Sequence, residues 1–436
     1  MLEKEERQRI IALINCEVVP AIGCTEPMAV SLCVAKAAET LGQRPVKIDV
    51  QMSSNILKNA MGVGIPGTGM IGLPIAIALG ALIGRSEYGL EVLRDVTPEA
   101  VSEGQRFIDE KRINIGLKKD NCPDKLYIET VCVAENGDKA KAVIEHDHNH
   151  FVFVSKTVKG KENILLNTPH AHVLEDEAGD VELTLRKVYE FTTTSPLKEL
   201  NFINEARRLN VNAARQALKG NYGHELGKTL SRPLGRGIMG ESIFSHILSE
   251  TSSACDARMA GAMIPVMSNS GSGNQGIAAT LPVVVFGQEN HNTEEEITRA
   301  LILSHLTAIY IKQSLGKLSA LCGCVVAATG SSCGITYLMG GTYDQVAYSV
   351  KNMIANLAGM VCDGAKPSCA LKVSSGVSTA VLSAMLAIQN RYVTNVEGII
   401  EDDVDRCIHN LTRIGAEGMN ETDEMVLDIM TNKKLS

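Results

Sequence analysis

Tryptophan is absent from this 436-residue chain, and phenylalanine, tyrosine and tryptophan together make only 4% of it. A large core must therefore be built from Ala, Ile, Leu, Val and Gly, which favours closely packed helices. An excess of positive charge is missing too. Lys and Arg number 42 against 50 Asp and Glu, a net charge of −8. That balance argues against nucleic acid, whose binding calls for a clustered basic surface. The longest acidic stretch, residues 175–182, is mixed with apolar residues and reads as solvated surface.

No secretory leader is visible, because residues 3–9 are densely charged and no apolar run directly follows. Twelve cysteines without such a leader imply a reducing, cytoplasmic setting, where a disulfide framework is not expected. Residues 59–84 and 318–343 each carry no charge over 26 positions, long enough to raise the question of a membrane span. The first holds seven glycines plus Pro66 and Pro74; the second holds Thr329, Ser331, Ser332 and three cysteines. Both read as buried small-residue segments, so a membrane is not expected as a partner.

Internal repeats and low-complexity tracts are lacking as well. Helical spacing of Ile10, Ile11, Leu13, Ile14 and Val18 predicts a first helix, ending near Pro20. Glu26-Pro27 then starts a second, which runs to about Leu41. Strand patterns follow at 46–52, 125–134, 139–145 and 151–159, the middle pair joined by a Glu135-Asn136-Gly137-Asp138 turn. Beyond Pro196 helical periodicity dominates, at about 198–218, 239–262, 294–315, 345–360, 373–389 and 396–417. The chain is thus expected to be α+β. A mixed half with a small sheet (1–195, its first 44 residues helical and able to pack on the second domain) precedes a mostly helical half (196–436).

Common chemical signatures are missing. No lysine sits in a recognisable pyridoxal-phosphate context, and neither a Walker loop nor a Rossmann fingerprint is met. His146, His148 and His150 alternate and would share one face of a strand, as a metal site requires. A polar strand end beside a turn is the plainer reading, since no further ligand is marked. The loop Ser268-Asn269-Ser270-Gly271-Ser272-Gly273-Asn274-Gln275-Gly276 leads into an apolar stretch. Its glycines let backbone N–H groups approach a ligand, and its Ser and Asn add neutral donors suited to a carboxylate; a bland connection would look much the same.

Five of the cysteines, Cys322, Cys324, Cys333, Cys362 and Cys369, fall within one stretch. Their spacing matches no common zinc or ferredoxin pattern, which leaves a metal site and buried thiols both open. Turn residues between Cys362 and Cys369, with Lys366 to stabilise thiolate charge, favour the metal. Cys24, in the loop Ala21-Ile22-Gly23-Cys24-Thr25, has no obvious structural task. The start of the second helix would favour its thiolate.

These segments resemble the L-cysteine desulfidases, relatives of the α subunit of iron–sulfur L-serine dehydratases. The resemblance covers most of the chain and rests on Gly23-Cys24-Thr25-Glu26-Pro27, Gly67-Thr68-Gly69 and the loop from Ser270 to Gly276. It rests also on Leu318-Ser319-Ala320-Leu321-Cys322-Gly323-Cys324, Gly359-Met360-Val361-Cys362-Asp363-Gly364 and Pro367-Ser368-Cys369. It implies a [4Fe–4S] cluster held by Cys322, Cys362 and Cys369, with Cys324 a confusable neighbour and Cys333 a buried helix residue. Cys24 corresponds to the proton acceptor of the desulfidases, and its thiolate is competent either as that base or as a labile fourth ligand to the open iron. In the dehydratases that loop is richer in serine and histidine, and a cysteine at the chain's end can occupy the fourth iron; residues 430–436 here have none. The implied reaction is β-elimination from L-cysteine to pyruvate, ammonia and sulfide. Ser270, Ser272 and Asn274 are candidates for holding the substrate carboxylate, with Thr25 a weaker one. L-Serine dehydration with the same cluster is the rival activity, and a non-catalytic iron–sulfur redox sensor the rival class. A small amino acid is the expected partner; a homo-oligomer is compatible with the sequence.

Overall fold

The computed structural model describes residues 2–118, 122, 124–168, 181–316 and 318–433. Its strands are β1 (Pro20–Ala21), β2 (Lys47–Met52), β3 (Ile113–Leu117), β4 (Tyr127–Val133), β5 (Lys139–Glu145), β6 (Phe151–Val158), β7 (Lys161–Asn167) and β8 (Val266–Met267). Six of them form one sheet in the order β3-β2-β4-β5-β6-β7, antiparallel except for β2 beside β3. The mixed sheet half followed by a helical half is the α+β architecture expected from the sequence. Two edge strands escaped the sequence pattern for a physical reason. β7 is exposed along almost its whole length, and β3 is short and half-buried, so neither carries a buried alternation.

The helix Thr25–Leu41 lies on the sheet, and Leu73–Leu82 packs against it with the all-round apolar surface that full burial demands. A larger core joins the helices of the second half, and it also takes in Ile10 and Ile14 from the first helix and Leu185, Val188 and Phe191 from Leu185–Thr194. The residues flagged for possible membrane spans are used inside these cores. Residues 59–84 break into a loop and the Leu73–Leu82 helix, and residues 318–343 into a loop and Gly323–Leu338. Among the described residues one helix, Cys369–Ile388, is long and apolar enough to cross a membrane; half of its apolar window is buried inside the protein.

Two helices start later than their periodicity suggests, because local caps decide where they begin. Ser242 and Ser245 form a reciprocal capping box, so the helix expected at 239–262 runs Ile243–Met259. Asp403 accepts from the N–H groups of Asp405 and Arg406 at 2.8 and 3.0 Å, so the helix expected at 396–417 begins at Val404; past Arg413 it continues as a π-helical turn, Ile414–Gly418. The three alternating histidines are not on a strand. They occupy the turn between β5 and β6, where His146 has φ 67° and pairs with Asp124, and His150 Nδ1 meets Glu145 O at 3.2 Å. The acidic stretch 175–182 lies outside the described residues apart from its last two.

Candidate active site

Four helices begin at one cavity. Cys24 is the N-cap of Thr25–Leu41, Ser272 caps Gly273–Glu289, Cys322 precedes Gly323–Leu338, and Cys369 opens Cys369–Ile388. All four line one cavity, of about 110 Å³. Each helix start presents unpaired N–H groups and roughly half a positive charge. Arg258, Lys312 and Lys372 line the same space, while Glu26 is the one carboxylate among its described lining residues. The cavity is built for an anion.

The Ser/Gly loop is held from beneath by buried polar groups. Asn210 donates from Nδ2 to Gly276 O at 3.2 Å and Thr280 Oγ1 at 2.9 Å, and accepts from Met267 N at 2.8 Å. Asn269 Nδ2 donates to His305 O at 3.1 Å and meets His305 Nδ1 at 3.0 Å, and the other ring nitrogen of His305, Nε2, meets Thr280 Oγ1 at 2.9 Å. Burial pulls His305 down to about 3, so it stays neutral and serves as scaffold. Thr25 Oγ1 donates to Gly271 O at 3.0 Å, joining the Cys24 loop to this one across 246 residues.

An antiparallel bridge between Leu321 and Val361 brings two of the cysteines together. Cys322 N donates to Met360 O at 2.9 Å, and Cys362 N to Ala320 O at 2.6 Å. The two thiols share a hydrogen bond that raises Cys322 and, helped by Lys58 and Lys372, pulls Cys362 down to about 6. One thiolate of the pair therefore forms readily near neutral pH. Lys366 serves chiefly the loop, donating to Asp363 O at 2.8 Å and Gly364 O at 3.1 Å, and its charge acts on Cys369.

An iron–sulfur cluster held by three thiolates would be an anion. Cys322, Cys362 and Cys369 on one cavity, four helix starts and surplus cations fit such a group. Among the described residues no three His, Cys, Asp or Glu side chains stand at the separation that suits a metal ion directly. The histidine turn forms no such group either. Cys324 also borders the cavity, but its thiol donates to Lys372 O at 3.3 Å and sits under Gly376, where a Cβ would come within 2.4 Å of the sulfur. Cys333 is fully buried in its helix, away from the cavity.

Lys58, 1% exposed, pairs with Asp423 of the last helix, and its Nζ also donates to Cys362 O at 3.4 Å. Asn55 donates to the same carboxylate. Asp423→Ala leaves the buried ammonium without its counter-charge and is expected to cost about 3–5 kcal/mol, read as a fall in the urea midpoint. An unchanged midpoint would show that the clamp contributes nothing to stability.

Thr25, Ser272 and Asn274 line the cavity with Cys24, but Ser270 does not: its hydroxyl donates to Asn269 Oδ1 at 2.9 Å. The Ser272 hydroxyl accepts from Gln275 N at 3.4 Å as a helix cap. Cys24 departs from the thiolate expected of a helix start, for burial pushes its thiol up to about 12. Arg258 opposes this, its Nη2 donating to Sγ at 3.6 Å. A helix end stabilises a charge by about 0.3–1 kcal/mol, and burying a thiolate costs more than that.

Sequence reasoning passed over Arg258, Lys312, Lys372, Glu26, Asn59 and Gln275. Lys312 did leave a signal, as a lone cation in the apolar run 300–312. Burial pulls it down to about 8. Arg258, 3% exposed, passes so close to Gly273 that a Cβ there would stand 2.2 Å from its Nε.

The model of the serine dehydratase alpha chain matches residues 87–428 of this chain, which include the Ser/Gly loop and all three candidate cluster ligands. Similar proteins extend over the Cys24 loop too. The UPF0597 protein of Phocaeicola vulgatus is 67% identical over 435 residues, covering 100% of both chains. The UPF0597 protein of Bacteroides thetaiotaomicron is 68% identical over 430 residues (99% of each), and that of Aeromonas hydrophila 43% over 427 (97% of this chain, 96% of the relative). With a match over well over half its length, and relatives aligned from end to end, this chain belongs to the serine dehydratase alpha-chain family.

Proposed function

We propose that the chain is a cytoplasmic [4Fe–4S]-dependent lyase that eliminates sulfide from L-cysteine, leaving pyruvate and ammonia. The observation that carries this reading is the convergence of Cys322, Cys362 and Cys369 with Cys24 and the Ser/Gly loop on one cationic cavity. A cluster held by the three cysteines supplies a Lewis-acidic iron for the departing sulfur, a soft ligand suited to it. Cys24 takes the α-proton. Its thiol must first ionise, and Arg258 at 3.6 Å is the charge that stabilises the thiolate. Once formed in so buried a place, that thiolate is a stronger base than one in water.

Thr25, Ser272 and Asn274 hold the amino acid so that its Cα–H bond faces Cys24. The electron pair of that bond forms the Cα=Cβ double bond as Cβ–S breaks. The released aminoacrylate tautomerises to an imine, and water converts it to pyruvate and ammonia. The family match favours L-serine as the second reading, with water leaving in place of sulfide. Anaerobically purified protein given L-cysteine should release sulfide and pyruvate in equal amounts, and faster than it forms pyruvate from L-serine. Faster pyruvate formation from L-serine would assign the dehydratase activity. Turnover of neither would remove the lyase reading and leave a redox sensor.

A further inference from the structure

The same cavity holds polar atoms that the protein itself leaves without partners. Arg258 is 3% exposed, and among the described residues no carboxylate pairs with it; its Nη2 reaches the Cys24 sulfur, while its Nε has no hydrogen-bond partner. Burying a guanidinium this way is costly unless something anionic meets it. A carboxylate is the group its planar fork matches. Unpartnered acceptors belong to the same lining. Asn274 gives its Nδ2 to Met259 Sδ at 3.3 Å, leaving Oδ1 buried and unmatched, and Gln275 Oε1 and Asn59 Oδ1 are buried and unmatched as well. Beside Asn59 stands Glu26, whose Oε1 accepts from Asn59 Nδ2 at 3.1 Å. A buried donor without an acceptor and buried acceptors without donors call for a ligand carrying both signs.

We infer that Arg258 anchors the α-carboxylate of the substrate, and that the amide oxygens of Asn274, Gln275 and Asn59 receive its α-ammonium. This rests on the amino-acid lyase reading and sharpens it. The site accepts free α-amino acids and rejects compounds lacking either charged group, whatever their β-substituent. Arg258 takes over the carboxylate role that the loop hydroxyls alone would otherwise carry. Its contact with Cys24 sets the bound amino acid beside the thiol that takes the α-proton.

Isothermal titration of the anaerobically purified protein tests this with probes that have no β-leaving group. L-Alanine carries both charges, L-alaninamide lacks the carboxylate, and propionate lacks the ammonium. L-Alanine should bind at least tenfold more tightly than either of the others. Arg258→Lys should weaken L-alanine tenfold or more and leave L-alaninamide unchanged. Gln275→Met should weaken L-alanine similarly with propionate unchanged, an independent reading should the arginine variant fold poorly. Equal binding of the three probes by the wild type, no binding of L-alanine, or parallel losses of L-alanine and L-alaninamide in Arg258→Lys would each overturn the inference. Turnover separates the two readings. Failure to form pyruvate from either L-cysteine or L-serine would sink the lyase while leaving the titration result to stand by itself.

Discussion

Serine at Cys322, Cys362 or Cys369 is expected to remove most of the iron and visible absorbance from anaerobically purified protein, whereas Cys324→Ser and Cys333→Ser should keep most of both. A hydroxyl is a hard ligand that holds its proton near neutral pH, so it replaces thiolate poorly at iron. Position 362 should be the most sensitive. Its thiol is pulled down by the hydrogen bond from Cys322 and by the charges of Lys58 and Lys372, so serine there removes the thiolate that its surroundings favour. Cys324 borders the same cavity, but its proton is committed to Lys372 O and its sulfur is packed under Gly376. Iron quantitation and absorbance on the five variants decide the matter. Loss of the cluster in Cys324→Ser with retention in Cys322→Ser would reverse the choice within the Cys-x-Cys pair.

Cys24→Ser should lower turnover about 10²–10⁴-fold, the usual contribution of a positioned proton-transfer group, with iron content unchanged. The side chain is 3% exposed and meets Arg258, so the smaller hydroxyl fits the space. A serine hydroxyl is far harder to ionise than a thiol, even one that burial has pushed up to about 12. Electron paramagnetic resonance separates a base from a resting ligand to iron: removing a ligand changes the cluster signal, and removing a base does not. Substantial activity in Cys24→Ala would rule out both roles. For the wild type, the raised thiol implies turnover that climbs with pH across the neutral range as thiolate becomes accessible. A rate profile that is flat from pH 6 to 9 would contradict proton abstraction by this group.

Local chemistry made several parts legible in the chain itself. The Asn136-Gly137 turn announces its hairpin, and absent aromatics with abundant small aliphatic residues announce tightly packed helices. Cys362-Asp363-Gly364 and Pro367-Ser368-Cys369 combine thiols with turn residues, so a short segment already looks like a ligand loop. Histidines 146, 148 and 150 follow the plainer reading of a polar turn, because alternation implies a shared face only on extended backbone, and His146 with φ 67° breaks that condition. Ser270 misled because its loop turns its hydroxyl onto Asn269 and away from the cavity.

By itself, then, the sequence determined the α+β division, the aliphatic cores and the thiols available for a cluster, since these depend on composition, periodicity and neighbours in the chain. Tertiary structure decided what those residues meet. Arg258 lies 234 residues from the Cys24 sulfur it approaches, and Asp423 lies 365 from the Lys58 it neutralises. No local pattern encodes such pairings, because each partner alone is an ordinary charged or polar side chain. Burial is likewise a property of the folded whole. It alone turned Cys24 from the thiolate that a helix start favours into a thiol, and made Arg258 a guanidinium without a carboxylate partner among the described residues.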